Sequence, residues 1–551
     1  MDIASLSIIE RVASLDHTVV PESVRLAPAA PGDASPAGVY RQGDRYLIGG
    51  EVCLWTGDTT EVTSPICTDG KRTVIGRAAS LTREESLDAM AAAVSAWDHG
   101  RGEWPTMRVG ARLERAQTFV EKMKGVREES VRLLMWEIAK TRADSEKEFD
   151  RTVAYIEDTI NALKEFDRDG GRFTQAGGVI TQIRRAPLGP TLCMGPFNYP
   201  LNETFTTLIP ALLMGNPIVC KLPKYGALCQ GPLLQAFAEC FPAGAVNVIN
   251  GEGPTVVGPL LESGALASLA FIGTARVANI LKRQHPKLNR MRCILGLEAK
   301  NPAIILPDAD LDLAVKECVA GALSYNGQRC TGLKLIWVHR KIETAFLDRL
   351  AAAVDKLGFG APWEPGVQLT PLPEEGKTAR LQAFVDDAVA QGAQIVNQNA
   401  GIHSQTFYFP AVVRGVKAGM ALHSQEQFGP IVPVSSFDDV SEVLDWLAEG
   451  AYGQQASLFG RDPVAVGSLC DVLSNLVCRV NLNAQCQRGP DVFPFTGRKD
   501  SAEGTLSVSD ALRSFSIRSM VAAPSTHDNR DLLRQVLTRR TSKFVSTDYL
   551  F

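Results

Sequence analysis

Four short apolar runs separated by helix-length segments constrain this chain most. They are Thr191-Leu192-Cys193-Met194, Ile218-Val219-Cys220-Lys221, Val246-Asn247-Val248-Ile249 and Ser268-Leu269-Ala270-Phe271-Ile272. Strands covered on both faces are apolar along their length, and parallel neighbours need a long crossover between them. The rhythm is that of βαβ units and predicts a doubly wound parallel sheet. A second set begins near residue 300 with Ala303-Ile304-Ile305-Leu306. It continues with Leu333-Lys334-Leu335-Ile336-Trp337-Val338 and returns at Val477-Cys478-Arg479-Val480-Asn481. The expected fold class is therefore α/β, with two doubly wound domains and a cleft between them.

The remaining pattern is coarser. Residues 45–75 read as short strands joined by turns. Thr82 then stands three before Glu85, the spacing of a capping box, and Leu87, Met90, Ala91 and Val94 follow at helical spacing. Helical patterns continue over about 106–124 and 129–165. Residues 21–38, rich in Pro, Ala and Gly, read as a surface segment or linker. Beyond 524, Leu532, Leu533, Val536 and Leu537 again recur at helical spacing, with no function attached.

Composition narrows the function classes. With 551 residues, 45% apolar and 21% charged, the chain reads as a soluble globular protein of more than one domain. A net charge of -4 without a long basic run argues against nucleic acid or an acidic membrane surface as partner. No stretch approaches ~18 uninterrupted apolar residues, so no membrane-spanning helix is expected. Met1-Asp2-Ile3-Ala4-Ser5 lacks the layout of a signal peptide. Twelve cysteines without a C-x-x-C pair, and only seven histidines, argue against a metal site. Cys193, Cys220, Cys229, Cys240 and Cys293 read as small core residues, consistent with a reducing cytoplasm.

Two segments carry chemistry. Cys330 sits in Ser324-Tyr325-Asn326-Gly327-Gln328-Arg329-Cys330-Thr331, and the neighbouring cation is expected to lower its thiol pKa. Asn198 sits in Gly195-Pro196-Phe197-Asn198-Tyr199-Pro200, where it alone would read as a turn residue. A thiol that attacks a carbonyl creates an oxyanion, and an Asn amide with the nucleophile's own N–H would hold it.

Together these segments resemble the aldehyde dehydrogenase superfamily, in which such a Cys is the nucleophile and such an Asn completes the oxyanion hole. Gln487-Arg488-Gly489-Pro490-Asp491-Val492-Phe493-Pro494-Phe495 resembles the non-phosphorylating glyceraldehyde-3-phosphate dehydrogenases within it. The resemblance covers roughly residues 45–520. It implies a dinucleotide-binding domain (45–167 and 188–297), a catalytic domain (298–504) and a strand arm (168–187 and 505–523). The arm would serve oligomerisation, to a homodimer or homotetramer. Residues 1–44 and 524–551 fall outside as extensions.

The resemblance also implies a cofactor and a substrate. Lys221-Leu222-Pro223-Lys224 follows a strand end, where open α/β sheets bind ligands. In the family the first Lys contacts the adenosine ribose, which matches Lys221. The position of Lys224 is a Glu in many NAD-preferring members. An ammonium suits a 2′-phosphate, so NADP is expected over NAD. Gly251-Glu252-Gly253 and Phe271-Ile272-Gly273-Thr274 match dinucleotide-facing turns, which adds Gly253, Gly273 and Thr274. The second turn departs from the usual Phe-Thr-Gly-Ser, although Thr274 keeps a hydroxyl for the pyrophosphate. In Glu426-Gln427-Phe428-Gly429-Pro430, Glu426 would hold the nicotinamide ribose with Phe428 beside it. Arg151, Tyr199, Arg329 and Arg488 map onto the cluster that grips the phosphate of a phosphorylated aldehyde.

One departure affects the mechanism. Most members carry Glu-Leu-Gly-Gly-Lys, whose Glu activates the deacylating water. This chain has Gly296-Leu297-Glu298-Ala299-Lys300. Lys300 aligns without a gap, so Gly296 takes the place of that Glu. Residues two apart in an extended segment share a face, which makes Glu298 the expected base. The implied reaction is NADP-dependent oxidation of glyceraldehyde 3-phosphate to 3-phosphoglycerate through a Cys thioacyl. Another aldehyde dehydrogenase remains an alternative, a CoA-acylating one included, because a thiol acceptor needs no activated water. A catalytically silent scaffold is the other, opposed by the intact Cys330 and Asn198.

Overall fold

The four apolar runs form adjacent parallel strands in a computed structural model that describes residues 7–26 and 38–547. Thr191–Met194 pairs with Ile218–Lys221 on one side, and that strand pairs with Val246–Ile249. On its other side Thr191–Met194 pairs with Ser268–Ile272, and beyond it lies Arg292–Gly296. The chain thus winds outward in both directions from Thr191–Met194. Two antiparallel strands, Arg45–Ile48 and Glu51–Leu54, extend one edge, and Ala502–Glu503 extends the other. The crevice between Thr191–Met194 and Ser268–Ile272 is a topological switch point, where open α/β sheets take ligands.

The second sheet has seven strands. Six are parallel neighbours, running from Ala411–Arg414 through Ile431–Phe437, Leu333–His339, Asn301–Ile305 and Gln455–Phe459 to Arg479–Leu482. Both domains are α/β, as expected. A separate three-stranded antiparallel sheet of Phe173–Ala176, Val179–Pro187 and Ser516–Pro524 forms the arm.

The helices obey local rules. Thr82 and Glu85 form the capping box that opens Arg83–Trp97. The periodicity over 129–165 resolves into Arg127–Ile138 and a 29-residue helix, Arg142–Gly170, whose N-cap Thr141 accepts from Asp144 N–H. At the N-terminal end, Ile8–Ser14 buries Val12, and the following turn Leu15–His17 buries Leu15, in the core of the second sheet. The Pro-rich stretch read as a linker falls mostly outside the described residues. The helical spacing in the tail becomes His527–Thr538, a helix without a buried residue.

Candidate active site

Cys330 is presented by a tight knot of backbone. After the helix Leu311–Leu323, Tyr325, Asn326 and Gly327 all take left-handed φ values of 49°, 54° and 70°. A Cβ on Gly327 would lie 2.7 Å from the carbonyl oxygens of both Ala322 and Gly429, so only glycine fits there. Asn326 donates to Thr370 O at 3.0 Å and accepts from Thr370 N at 2.9 Å. The half-buried Cys330 therefore arrives just ahead of the strand Leu333–His339, and its carbonyl accepts from Asn301 Nδ2 at 2.9 Å.

Asn198 reaches the same place from the first domain. Its Nδ2 donates to Gln328 O at 2.7 Å. An amide carries two N–H groups, so one is left for an oxyanion. The Asn198 backbone carbonyl accepts from Lys140 Nζ at 2.8 Å. Lys140 is wholly buried in an ion pair with Glu148, and Glu148 accepts from Leu201 N and Asn202 N at 3.0 and 3.1 Å. Lys140 also lies 3.6 Å from the centroid of the Tyr199 ring. This buried pair, absent from the sequence reading, anchors the segment 198–202.

The expected activation of the thiol by Arg329 is not what the geometry delivers. Burial pushes Cys330 up, the Glu426 charge adds to the rise, and Lys334, Arg329 and the Thr331 N–H oppose it only in part. Arg329 is turned toward Cys486 O at 3.1 Å, Gln485 Oε1 at 3.4 Å, Thr331 Oγ1 at 3.4 Å and Ala320 O at 3.5 Å. The thiol therefore needs a base. Glu426 is pushed up to about 7 by burial, despite Lys334 at 3.5 Å. Lys334 was also missed. A lone cation inside the apolar strand Leu333–His339 was the signal available.

Two cavities meet at Cys330. One, of about 340 Å³, is walled by Arg151, Tyr199, Arg329 and Arg488, and also by Lys147. Lys147 precedes Arg151 by four residues on one helix, the spacing that places both on one face and could have revealed it. Arg151 grips Asp491 through two bonds of 2.8 and 2.7 Å. Arg488 is buried against Glu203, lies 3.3 Å from Asp491 and donates to Leu506 O at 3.0 Å. Arg329 and Lys147 pair with no carboxylate among the described residues.

The other cavity, of about 790 Å³, is walled by Asn198, Lys221, Lys224, Glu298, Glu426 and Phe428, with Gly273 and Thr274 at the crevice. Lys224 is exposed and forms no ion pair with a described residue. Burial pushes Lys221 down. Phe428 takes a left-handed φ of 42°, and its ring lies 4.8 Å from Lys334 Nζ and 5.9 Å from the Phe197 ring. Thr274 Oγ1 accepts from Val277 N at 3.3 Å, capping the helix Ala275–Gln284. Glu298 Oε2 accepts from Ala275 N at 2.9 Å. Gly253, expected at the cofactor, opens the short helix Gly253–Val256 and does not line the cavity. A Cβ at Gly296 would lie 3.2 Å from Leu506 Cδ1 and 3.4 Å from Ile272 Cγ1, a crowded position for a larger residue.

This architecture can be set against known proteins. The model of the Aldehyde dehydrogenase family matches residues 55–521. The chain belongs to that family. It is 35% identical over 361 residues to the NADP-dependent glyceraldehyde-3-phosphate dehydrogenase of Streptococcus equinus, covering 65% of this chain and 73% of that one. It is 28% identical over 339 residues to the 3-sulfolactaldehyde dehydrogenase of Priestia aryabhattai, covering 61% and 70%. The NADP-dependent glyceraldehyde-3-phosphate dehydrogenase of Bacillus halodurans C-125, solved with NADP, superposes with a TM-score of 0.81 at 27% identity, covering 88% of this chain and all of that one. Among the described residues no group of three or more His, Cys, Asp or Glu side chains could hold a metal ion, and no helix is long and apolar enough to cross a membrane.

Proposed function

We propose that this chain oxidises glyceraldehyde 3-phosphate to 3-phosphoglycerate with NADP, in the cytoplasm, without adding a second phosphate. The observation that carries the reading is the position of Cys330 where an arginine-walled cavity meets a lysine-walled one. Guanidinium groups suit a phosphate dianion at the first. At the second, Lys221 and Lys224 would hold the adenosine ribose and 2′-phosphate of NADP, and Glu426 and Phe428 the nicotinamide end. The charge of Lys224, which meets no carboxylate among the described residues, supports that fit. NADP, when bound, supplies the hydride acceptor.

The chain's own residues supply the rest. Glu426 takes the Cys330 proton, and the thiolate sulfur bonds to the aldehyde carbon. The carbonyl oxygen becomes an oxyanion held by the free N–H of Asn198 and the Cys330 N–H. Oxidation leaves a thioester on Cys330. One water then adds, its proton passes to a carboxylate, the C–S bond breaks, and the acid departs with Cys330 restored.

Glu298 is the proposed base for that water. It must first leave Ala275 N–H, because a helix N-terminus favours any anion that reaches it, a pyrophosphate included. A second reading gives the step to Glu426, and is supported by the influence of its charge on the Cys330 thiol. Exposed Ile517, Met520 and Val521 on the arm support self-association to a homodimer or homotetramer, which light scattering would measure.

The test is a substrate panel without CoA. The account expects the highest kcat/KM with glyceraldehyde 3-phosphate and NADP, well above unphosphorylated glyceraldehyde and above NAD. Equal values for both aldehydes, or a preference for 3-sulfolactaldehyde, would remove the phosphate assignment.

A further inference from the structure

A third cavity, of about 620 Å³, shares no described wall residue with the two that meet at Cys330. Trp97, Met107, Leu163, Phe166 and Met214 give it apolar walls, and Arg112 enters it from the helix Val109–Gly125. Arg112 is only 4% exposed, yet its Nε and Nη1 have no hydrogen-bond partner among the described residues. Gly215 makes room for it, since a Cβ there would lie 2.2 Å from Nη1. A buried guanidinium with two N–H positions left without a partner is costly, so the site favours an anion.

The surroundings point the same way. Asp167, the carboxylate on the wall, offsets part of the burial cost of Arg112 by its charge, but it is shared with Arg184, which it meets at 3.1 Å. Arg185 donates to Arg513 O and Ser516 Oγ and carries Arg292, Arg513 and Arg518 close enough to push its pKa down further after burial. The 17-residue helix Val109–Gly125 starts at the wall with no side-chain cap and no acidic residue in its first turn. Helix N-termini of this kind favour anions.

The cover comes from the C-terminal segment, beyond the stretch matched by the family. Thr541–Phe544 line the cavity. They are pinned by Arg184, which donates to Phe544 O at 3.2 Å, and by Gln182, which donates to Ser546 O at 2.6 Å and accepts from Ser546 N at 3.2 Å. We propose that this cavity binds a small organic oxyanion, a carboxylate or phosphate on an apolar body, with Arg112 as its counter-charge and residues 541–546 as its cover.

Hydrogen exchange on the full chain tests this with benzoate and phenyl phosphate as probes. Either probe should slow exchange in 541–546 and 184–187, and should do so equally in Arg329→Ala, whose defect lies beside Cys330. Arg112→Met should melt no lower than the parent in probe-free buffer, because it replaces a buried charge that has two unpartnered N–H positions with an apolar side chain. It should also bind the probes about tenfold more weakly or worse. If neither probe protects 541–546 in the parent, the proposal is overturned without recourse to any variant. It is equally overturned if Arg112→Met is protected at the same probe concentrations as the parent.

Discussion

The two cavities at Cys330 are both lined with cations, yet they hold them differently. On one side Arg151 and Arg488 are already matched by Asp491 and Glu203, and Arg488 is almost wholly buried. On the other, Lys221 and Lys224 form no ion pair with a described residue. A buried, matched guanidinium fixes geometry more than it attracts. An unmatched charge at a cavity wall keeps its field for a ligand. Counting arginines therefore overstates the pull on a phosphate. By this reasoning the net attraction on the first side comes from Arg329, held by neutral acceptors, and from Lys147.

Variants can break that comparison or sharpen it, beginning where the effect is largest. Cys330→Ala removes the thiol that lines both cavities. NADPH formation should fall by about 10⁴-fold or more, while NADP affinity, read by fluorescence titration, stays unchanged. Retained turnover would move the nucleophile elsewhere. Next come the two carboxylates. Glu298→Gln should keep the first rapid NADPH release and slow later turnovers by ~10²–10⁴-fold. Glu426→Gln should slow the first release as well, and if Glu298→Gln leaves the later turnovers unslowed, the deacylation step passes to Glu426.

The arginines then separate by kind. Arg329→Ala should raise KM for glyceraldehyde 3-phosphate by about 10- to 100-fold with little change for glyceraldehyde. Arg488→Ala should instead cost about 3–5 kcal/mol in denaturant unfolding, since Glu203 and Asp491 lose their buried partner. A stable Arg488→Ala with a pure KM defect would undo the contrast between matched and unmatched cations. On the lysine side, Lys224→Glu should weaken NADP by about tenfold and spare NAD. The smallest expected effect concerns pH. Glu426 has its pKa raised to about 7, so it loses its basic form as pH falls through that value. The rate of the first NADPH release should drop over the same range, and a flat profile would remove Glu426 as the thiol's base.

The sequence made some of this visible for definite reasons. Thr191–Met194, Ile218–Lys221, Val246–Ile249 and Ser268–Ile272 are central strands buried on both faces, so their apolar runs coincide with their ends. The expected site residues, apart from Gly253, reach the walls of the two cavities because short local motifs carry them. Other features depend on long-range packing. Arg151 and Asp491 are 340 residues apart, so the neutralised charge was not readable from either motif. The sign of the Cys330 shift follows burial, which the polar run around it concealed. The contact of Glu298 with Ala275 N–H depends on how the ends of the neighbouring strands Ser268–Ile272 and Arg292–Gly296 meet.

The central claim is a hydrolytic, phosphate-directed oxidation at Cys330, and rapid mixing tests it most directly. Enzyme would be combined with glyceraldehyde 3-phosphate and NADP, with neither CoA nor inorganic phosphate present, and NADPH followed by absorbance. The account predicts a fast first release tied to Cys330, then continued turnover to 3-phosphoglycerate. No NADPH at all, or a single release that halts until CoA is added, would contradict it.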